Sequence, residues 1–170
     1  MAETIFIGVA WPYANGSLHI GGVTGAYLPA DIFARYHRLA GNRVLMVSGS
    51  DMHGTPVTVR AEKEGIPPEE LANRYHAQHV DNLARLGITY DLYTKTTTDV
   101  HRRVVQDMFL ELHKRGHIYP QTTTAPYCPV DLRFLPDRYV EGTCPRCGYT
   151  EARGDPVSYT HLTLPTILRV

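Results

Sequence analysis

An excess of charge of either sign is missing from this sequence. Across 170 residues, 17 Lys and Arg balance 17 Asp and Glu, for a formal net charge of zero. That excludes a polybasic arm holding nucleic acid by charge alone. No apolar run approaches the roughly 18 residues of a membrane span, so no membrane partner is expected. Residues 4–10 are apolar but short and follow the acidic Glu3. An export signal wants a basic leader and a longer apolar stretch, so a cytoplasmic protein is expected. Cysteine is scarce and odd in number, at three. Two of the three form a Cys-x-x-Cys, which points to metal or redox chemistry rather than a disulfide frame. Internal repeats are lacking too. Hydrophobic residues at 43% and charged residues at 20% are ordinary for a globular chain and exclude long disorder. The length suits one domain and a small appendage.

What is present reads first as a βαβ unit. Residues 4–10 form a near-continuous apolar run, as a buried parallel strand does. Pro12 and Asn15-Gly16 then mark a loop. A helix is expected from about Leu18 to Leu39, bent or divided at Pro29, with Ile32, Phe33, Tyr36 and Leu39 on one face and Gly41 as its stop. Residues 43–47 read as a second buried strand, and a polar loop with Gly49 and Gly54 follows. A helix from Pro56 to Glu64 is expected, with Thr55 as its cap. A second should run from Pro67 to Gly87 with Leu71, Tyr75, His79, Leu83 and Leu86 on one stripe. Residues 91–95 suggest a short strand. Thr98-Asp99 caps an amphipathic helix whose Val100, Val104, Val105, Met108, Phe109 and Leu112 are expected to face inward, with Gly116 as stop. The fold class expected is therefore α/β, with parallel strands joined by a right-handed crossover. Residues 1–116 would form that unit and 117–155 a small β-rich, loop-rich subdomain holding all three Cys. Residues 156–170 hold no acid and one base, Arg169, and continue no earlier pattern, so a non-native tail is expected there.

Three motifs carry chemistry. Residues 12–22, Pro-Tyr-Ala-Asn-Gly-Ser-Leu-His-Ile-Gly-Gly, join the first strand to a helix N-terminus, where unpaired amides and the helix dipole favour an anion. His19 can donate to a phosphate there, and Gly21 and Gly22 let a planar ligand approach. A tight turn with a surface His is the plain alternative. Residues 51–56, Asp-Met-His-Gly-Thr-Pro, follow the second strand, where the ligand crevice of an open α/β sheet lies. Asp51 can hold an ammonium group there, and neither Asp51 nor His53 is needed for a helix cap. Cys144-Pro145-Arg146-Cys147-Gly148 makes half of a zinc knuckle, and Cys128-Pro129-Val130-Asp131 looks like a knuckle with Asp in its second place. Other features have bland readings: His76 and His79 as a surface or half-buried pair, His101-Arg102-Arg103 as a solvated face, and Trp11 as either pocket wall or core.

Together, the first two motifs resemble the class I aminoacyl-tRNA synthetases, and more closely the methionyl-tRNA synthetases. The match runs through Pro12, Tyr13, Ala14, Asn15, Gly16, His19 and Gly21, and again through Asp51, His53, Gly54, Thr55 and Pro56. Residues 27–36 and the Phe-Leu-Pro-Asp-Arg at 134–138 look like the same family. One position departs: Gly22 stands where the family usually has His, which removes a phosphate donor.

The resemblance implies the first half of a Rossmann-like parallel sheet of the nucleotide-binding (HUP) type over residues 1–116, with a small zinc-knuckle β insertion over 117–155. It also implies a ligase that activates methionine with ATP and Mg2+ and then transfers it to tRNA(Met). It implies His19 as the catalytic phosphate-stabilising residue, with Asn15, Gly21 and Gly22 shaping the ATP site. Trp11, Tyr13, Asp51 and His53 would bind methionine, Asp51 through the ammonium group. Cys144, Cys147 and Cys128 would be the candidates for Zn2+ in a connective subdomain, its site incomplete, with His161 only a makeshift ligand. The family's Lys-Met-Ser-Lys-Ser-type loop is not found in these 170 residues, so an N-terminal fragment with negligible activity alone is expected. Two other readings are a small nucleotidyltransferase that adenylates a phosphopantetheine arm and a zinc-dependent binding module. The first does not account for Asp51 to Pro56, and the second lacks four good ligands.

Overall fold

A computed structural model of the chain describes residues 2–122, 125–136, 139–144 and 147–154. The expected tail at 156–170, His161 within it, and the residues between the two knuckle cysteines lie outside the described residues. The chain divides into two compact units, Met1–Phe109 and Leu110–Val170.

The first unit is built on three parallel strands in the order β1-β2-β3: β1 (Thr4–Gly8), β2 (Arg43–Ser50) and β3 (Leu92–Lys95). Thr4 pairs with Arg43 and Gly8 with Val47, and Val47 in turn pairs with Leu92. Between β1 and β2 runs one continuous helical stretch: α1 (Ile20–Gly22), a π-turn at Val23–Tyr27, and α2 (Leu28–Leu39). Pro29 was expected to bend or divide this helix. Instead the ladder widens just before it, with the Leu28 amide reaching back to the Val23 carbonyl. The wider turn lies where the proline ring would otherwise crowd the preceding turn. Between β2 and β3 lie α3 (Thr55–Glu64) and α4 (Pro68–Arg85), and α5 (Asp99–Lys114) follows β3. Gly65, in the left-handed region at φ 66°, ends α3. The cap of α3 is Gly54 rather than Thr55, because φ of 96° at that position suits only glycine.

Two apolar clusters hold this unit. One gathers Val9, Val23, Tyr27, Ala34, Met46, Leu83 and Ile88, and joins the strands to α2 and α4. The other gathers Ala14, Met52, Val57, Ala61, Leu71 and Ala72 beneath the two signature loops. The only charged side chain that α2 buries is Asp31. It pairs with Arg35 at 2.5 Å and accepts the Thr89 amide at 3.2 Å, so the anion is compensated. Asp91 likewise accepts the Met46 amide at 2.7 Å and pairs with Arg38 at 2.9 Å.

Two burial expectations, for α5 and for the strands, differ from the structure, and an apolar face of α2 is uncovered as well. Ile32, Phe33, Tyr36 and Leu39 share a face of α2, but that face is exposed, and Asp31 and Ala34 are the residues α2 buries. The apolar stripe of α5 is exposed throughout. Phe6, Leu45 and Leu92 are also exposed, so β1 and β2 are less buried than near-continuous apolar runs suggest. Helical and strand periods identify an apolar face; they do not say what covers it.

In the second unit, α5 ends and two short antiparallel ladders follow. β4 (Tyr127–Cys128) pairs with β5 (Arg133–Phe134), and β6 (Glu141–Gly142) pairs with β7 (Ala152–Arg153). The Tyr127 and Phe134 rings meet edge to face at 5.1 Å.

Candidate functional site

The two signature loops leave the carboxyl ends of neighbouring strands and continue their pairing. The Asp51 amide donates to the Pro12 carbonyl and the Ala14 amide to the Asp51 carbonyl, both at 2.8 Å. A single parallel bridge thus sets Tyr13 beside Asp51. Gly54 completes the contact, since a Cβ there would lie 3.3 Å from the Tyr13 ring. Residues separated by nearly forty positions therefore share one edge of the sheet, in the crevice where open α/β folds bind ligands.

His19 is exposed and caps α1, its Nδ1 accepting the Gly21 amide at 3.0 Å. A neutral ring that accepts at Nδ1 carries its proton on Nε2, which leaves that N–H to donate to a ligand. The Gly21 amide is thereby occupied by His19. Asn15 turns its side-chain amide to the Pro56 carbonyl at 3.5 Å, which links the first loop to the start of α3. Asp51 accepts the His53 amide on Oδ1 at 3.1 Å, and its carboxylate is partly exposed. Tyr13 and His53 are exposed. Trp11 is 37% exposed, lies over Gly49, and has its ring centroid 6.0 Å from that of His101. His101 is accordingly half-buried rather than part of a solvated face. Beside His53 opens a cleft of about 840 Å³, lined among others by Met52, Glu69, Ala72, Thr96 and His101.

Gly22 has ordinary helical angles, and a Cβ there would meet only the Tyr27 ring, at 3.6 Å. A side chain fits. Gly22→Ala is expected to raise stability by about 0.5–1 kcal/mol through the helix term alone. Gly22→His is expected to strengthen nucleoside triphosphate binding about tenfold or more, since one charge-assisted hydrogen bond is worth about 1.5–3 kcal/mol. Calorimetric titration of both variants checks this. Equal affinities in glycine, alanine and histidine forms would contradict it.

Sequence reasoning missed a buried polar cluster behind the loops. His79, expected at the surface or half-buried, is fully buried. Its Nε2–H donates to the Gly16 carbonyl at 2.8 Å, and its Nδ1 lies 3.3 Å from Ser50 Oγ. Ser50 Oγ also meets His76 Nδ1 at 3.0 Å and the Tyr93 hydroxyl at 3.1 Å. Burial lowers the pKa of both histidines below the ordinary imidazole value; for His79 the bond to Gly16 opposes this, and for His76 Lys95 adds to it. Burial pushes the Tyr93 hydroxyl up to about 12, against the pull of its Ser50 bond. A signal existed: His79 interrupts an otherwise apolar stripe, and a buried polar group needs a partner.

Comparison with known proteins gives this geometry a family. The family described as tRNA synthetases class I (M) matches the chain over residues 5–167. The chain belongs to that family. A methionine–tRNA ligase of Thermomicrobium roseum is 59% identical over 167 residues, 98% of this chain and 29% of the relative. One from Dehalococcoides mccartyi is 63% identical over 155 residues, 91% of this chain and 28% of the relative. The chain thus spans less than a third of the length of these curated relatives. Among solved structures, the LeuRS of Agrobacterium radiobacter in its ternary complex with tRNA and LeuAMS matches with a TM-score of 0.70. That match is 27% identical and covers 88% of this chain and 20% of that one. The α/β, Rossmann-like architecture is therefore that of a class I synthetase.

The cysteines of this synthetase chain lie in two turns. Asp131 donates its amide to Cys128 Sγ at 3.4 Å, and Cys128 Sγ donates to the Asp131 carboxylate at 3.3 Å. In the other turn the Cys144 amide donates to the Tyr149 carbonyl at 2.7 Å and the Gly148 amide to the Cys144 carbonyl at 2.9 Å. Cys144 is buried and Cys147 exposed. Among the described residues, no three His, Cys, Asp or Glu side chains gather to hold a metal ion. The donors among the described residues do not by themselves make a four-ligand zinc site. Well under one zinc per chain is expected after dialysis, by elemental mass spectrometry. Stoichiometric zinc would mean that further ligands close the site. No helix among the described residues is long and apolar enough to cross a membrane.

Proposed function

We propose that this chain is the N-terminal substrate-binding part of a cytoplasmic methionine–tRNA ligase, which activates methionine with Mg2+-bound ATP and passes it to tRNA(Met). The observation that carries the reading is the bridge between Tyr13 and Asp51, because it joins the loop proposed to meet the phosphates to the one proposed to meet the ammonium group. In the activation step a methionine carboxylate oxygen attacks the α-phosphorus. The bond from that phosphorus to the bridging oxygen breaks, and pyrophosphate leaves with the electron pair. Such a step depends on position and charge stabilisation more than on a base. His19 Nε2–H is the donor available to the phosphates. Asp51 Oδ1 takes the His53 amide, which leaves Oδ2 for the substrate ammonium. Tyr13 and Trp11 supply apolar wall for a thioether side chain, whose selection rests on packing. Mg2+ travels with ATP as part of the substrate.

The uncovered sheet residues Phe6, Leu45 and Leu92, and the apolar stripe of α5, suit burial by the remaining length of such a ligase. Without that remainder and its lysine-bearing loop, the chain alone should show no methionine-dependent ATP–pyrophosphate exchange above background. Thermal shift tests the substrate assignment. A sulfamoyl analogue of methionyl-adenylate should raise the melting temperature, and phosphopantetheine should not. The reverse ranking would replace this reading with that of the small nucleotidyltransferases.

A further inference from the structure

We infer that His79 is a positioning residue, holding the loop before His19 and the strand end before Asp51 in one register through a directed chain of hydrogen bonds. The inference rests on the proposed substrate site, and it concerns a helix that carries none of the signature residues.

The direction of the chain follows from what each atom can do. The Gly16 carbonyl only accepts, so the proton of His79 sits on Nε2, 2.8 Å away. Nδ1 of the neutral ring must then accept, and the group facing it is Ser50 Oγ. Ser50 has one proton to give and two lone pairs to offer. Its proton goes to His79, and its lone pairs take the Tyr93 hydroxyl at 3.1 Å and His76 Nδ1–H at 3.0 Å. Every donor then has an acceptor. The chain ends at Gly16, three residues before His19, and passes through Ser50, the residue before Asp51. A second tie supports the first: Ser17 Oγ donates to Gln78 Oε1 at 3.2 Å, so two adjacent α4 residues hold two adjacent loop residues. His79 and Ser50 are both fully buried, so water does not compete for these bonds.

Protonating His79 would remove its Nδ1 acceptor and leave a buried cation. The titratable groups nearest it are His76 on its own helix and Tyr93 on β3, both joined to it through Ser50, and Lys95, which acts on His76 and donates to Asn73 at 2.9 Å. None is an anion that would compensate. Because the native pKa of His79 is lowered, the unfolded chain binds the extra proton first. The stabilisation is therefore complete above about pH 6.5 and is lost as pH falls toward and through the native value.

Three readouts on the 170-residue chain test the inference. Nitrogen-15 NMR of the imidazoles should find His79 as the neutral Nε2–H tautomer. Amide hydrogen exchange at residues 16–21 should stay within about threefold of the wild type in His79→Gln, whose amide can reach Gly16. In His79→Asn it should speed at least tenfold, although both variants lose similar thermal stability. Affinity for AMP should divide in the same way, kept in His79→Gln and weakened about tenfold in His79→Asn. A purely structural role predicts that exchange and affinity follow thermal stability alone in both variants, and that result overturns the inference. So does an Nδ1–H tautomer. If wild-type chain fails to bind AMP, the proposed function falls, while the tautomer and exchange rates still decide the role of His79.

Discussion

Asp51→Asn is expected to weaken binding of the sulfamoyl analogue of methionyl-adenylate about a hundredfold, while AMP binding stays within about twofold. The substitution isolates charge. The loop geometry depends on backbone bonds, from Asp51 to Pro12 and from Ala14 to Asp51, which the side chain does not make. The one local bond of the carboxylate, from the His53 amide to Oδ1, is open to an asparagine oxygen as well. What disappears is the anion available to the ligand's ammonium group. Removing one partner of a close charge pair costs about 2–5 kcal/mol, and each 1.4 kcal/mol is about tenfold. Titration calorimetry of both ligands checks the expectation, and an unchanged melting temperature shows that the fold is intact. Equal losses for the analogue and AMP would place Asp51 at the nucleotide instead.

Gly49→Ala is expected to cost the fold about 2–4 kcal/mol, visible as a fall in melting temperature of about 4–16 °C. Gly49 lies in the central strand, paired with Thr94 of β3. A Cβ at Gly49 would sit 2.6 Å from the Thr94 carbonyl oxygen and 2.7 Å from the Trp11 ring. The indole, at the edge of the site, can swing aside. The carbonyl belongs to the sheet and cannot move without breaking register. Adding Trp11→Ala should therefore recover only a small part of the loss. Full recovery would mean that the indole, rather than the strand spacing, sets the requirement for glycine.

These two positions show how much of the molecule was legible. The βαβ order, the span of α4, the glycine stops and the two loops were all readable, because each is written in local residues. Gly65 ends α3 with its own φ, and Pro68 opens α4 with its own ring. The coverage of α2 and α5 was not readable, because burial depends on distant neighbours. The Ile32 and Phe33 stripe satisfies helical period equally well whether covered or bare. The Gly49 requirement was hidden for the same reason, since its partners come from the first loop and the third strand. His79 lay between these cases. Its place among Leu71, Tyr75 and Leu83 was a signal of burial that the reading as a surface or half-buried pair passed over, and the partner at Gly16 is 63 residues away. The departure at Gly22 was plain in the sequence, and the structure adds that a Cβ there makes only ordinary contact with the Tyr27 ring.

The central claim is that the loops at residues 11–22 and 51–56 form one substrate site. Two-dimensional NMR during titration with the sulfamoyl analogue of methionyl-adenylate tests it most directly. The account predicts that amides in both loops shift together, along one saturation curve with a single dissociation constant. Shifts confined to one loop, or two loops titrating with unrelated constants, would contradict it.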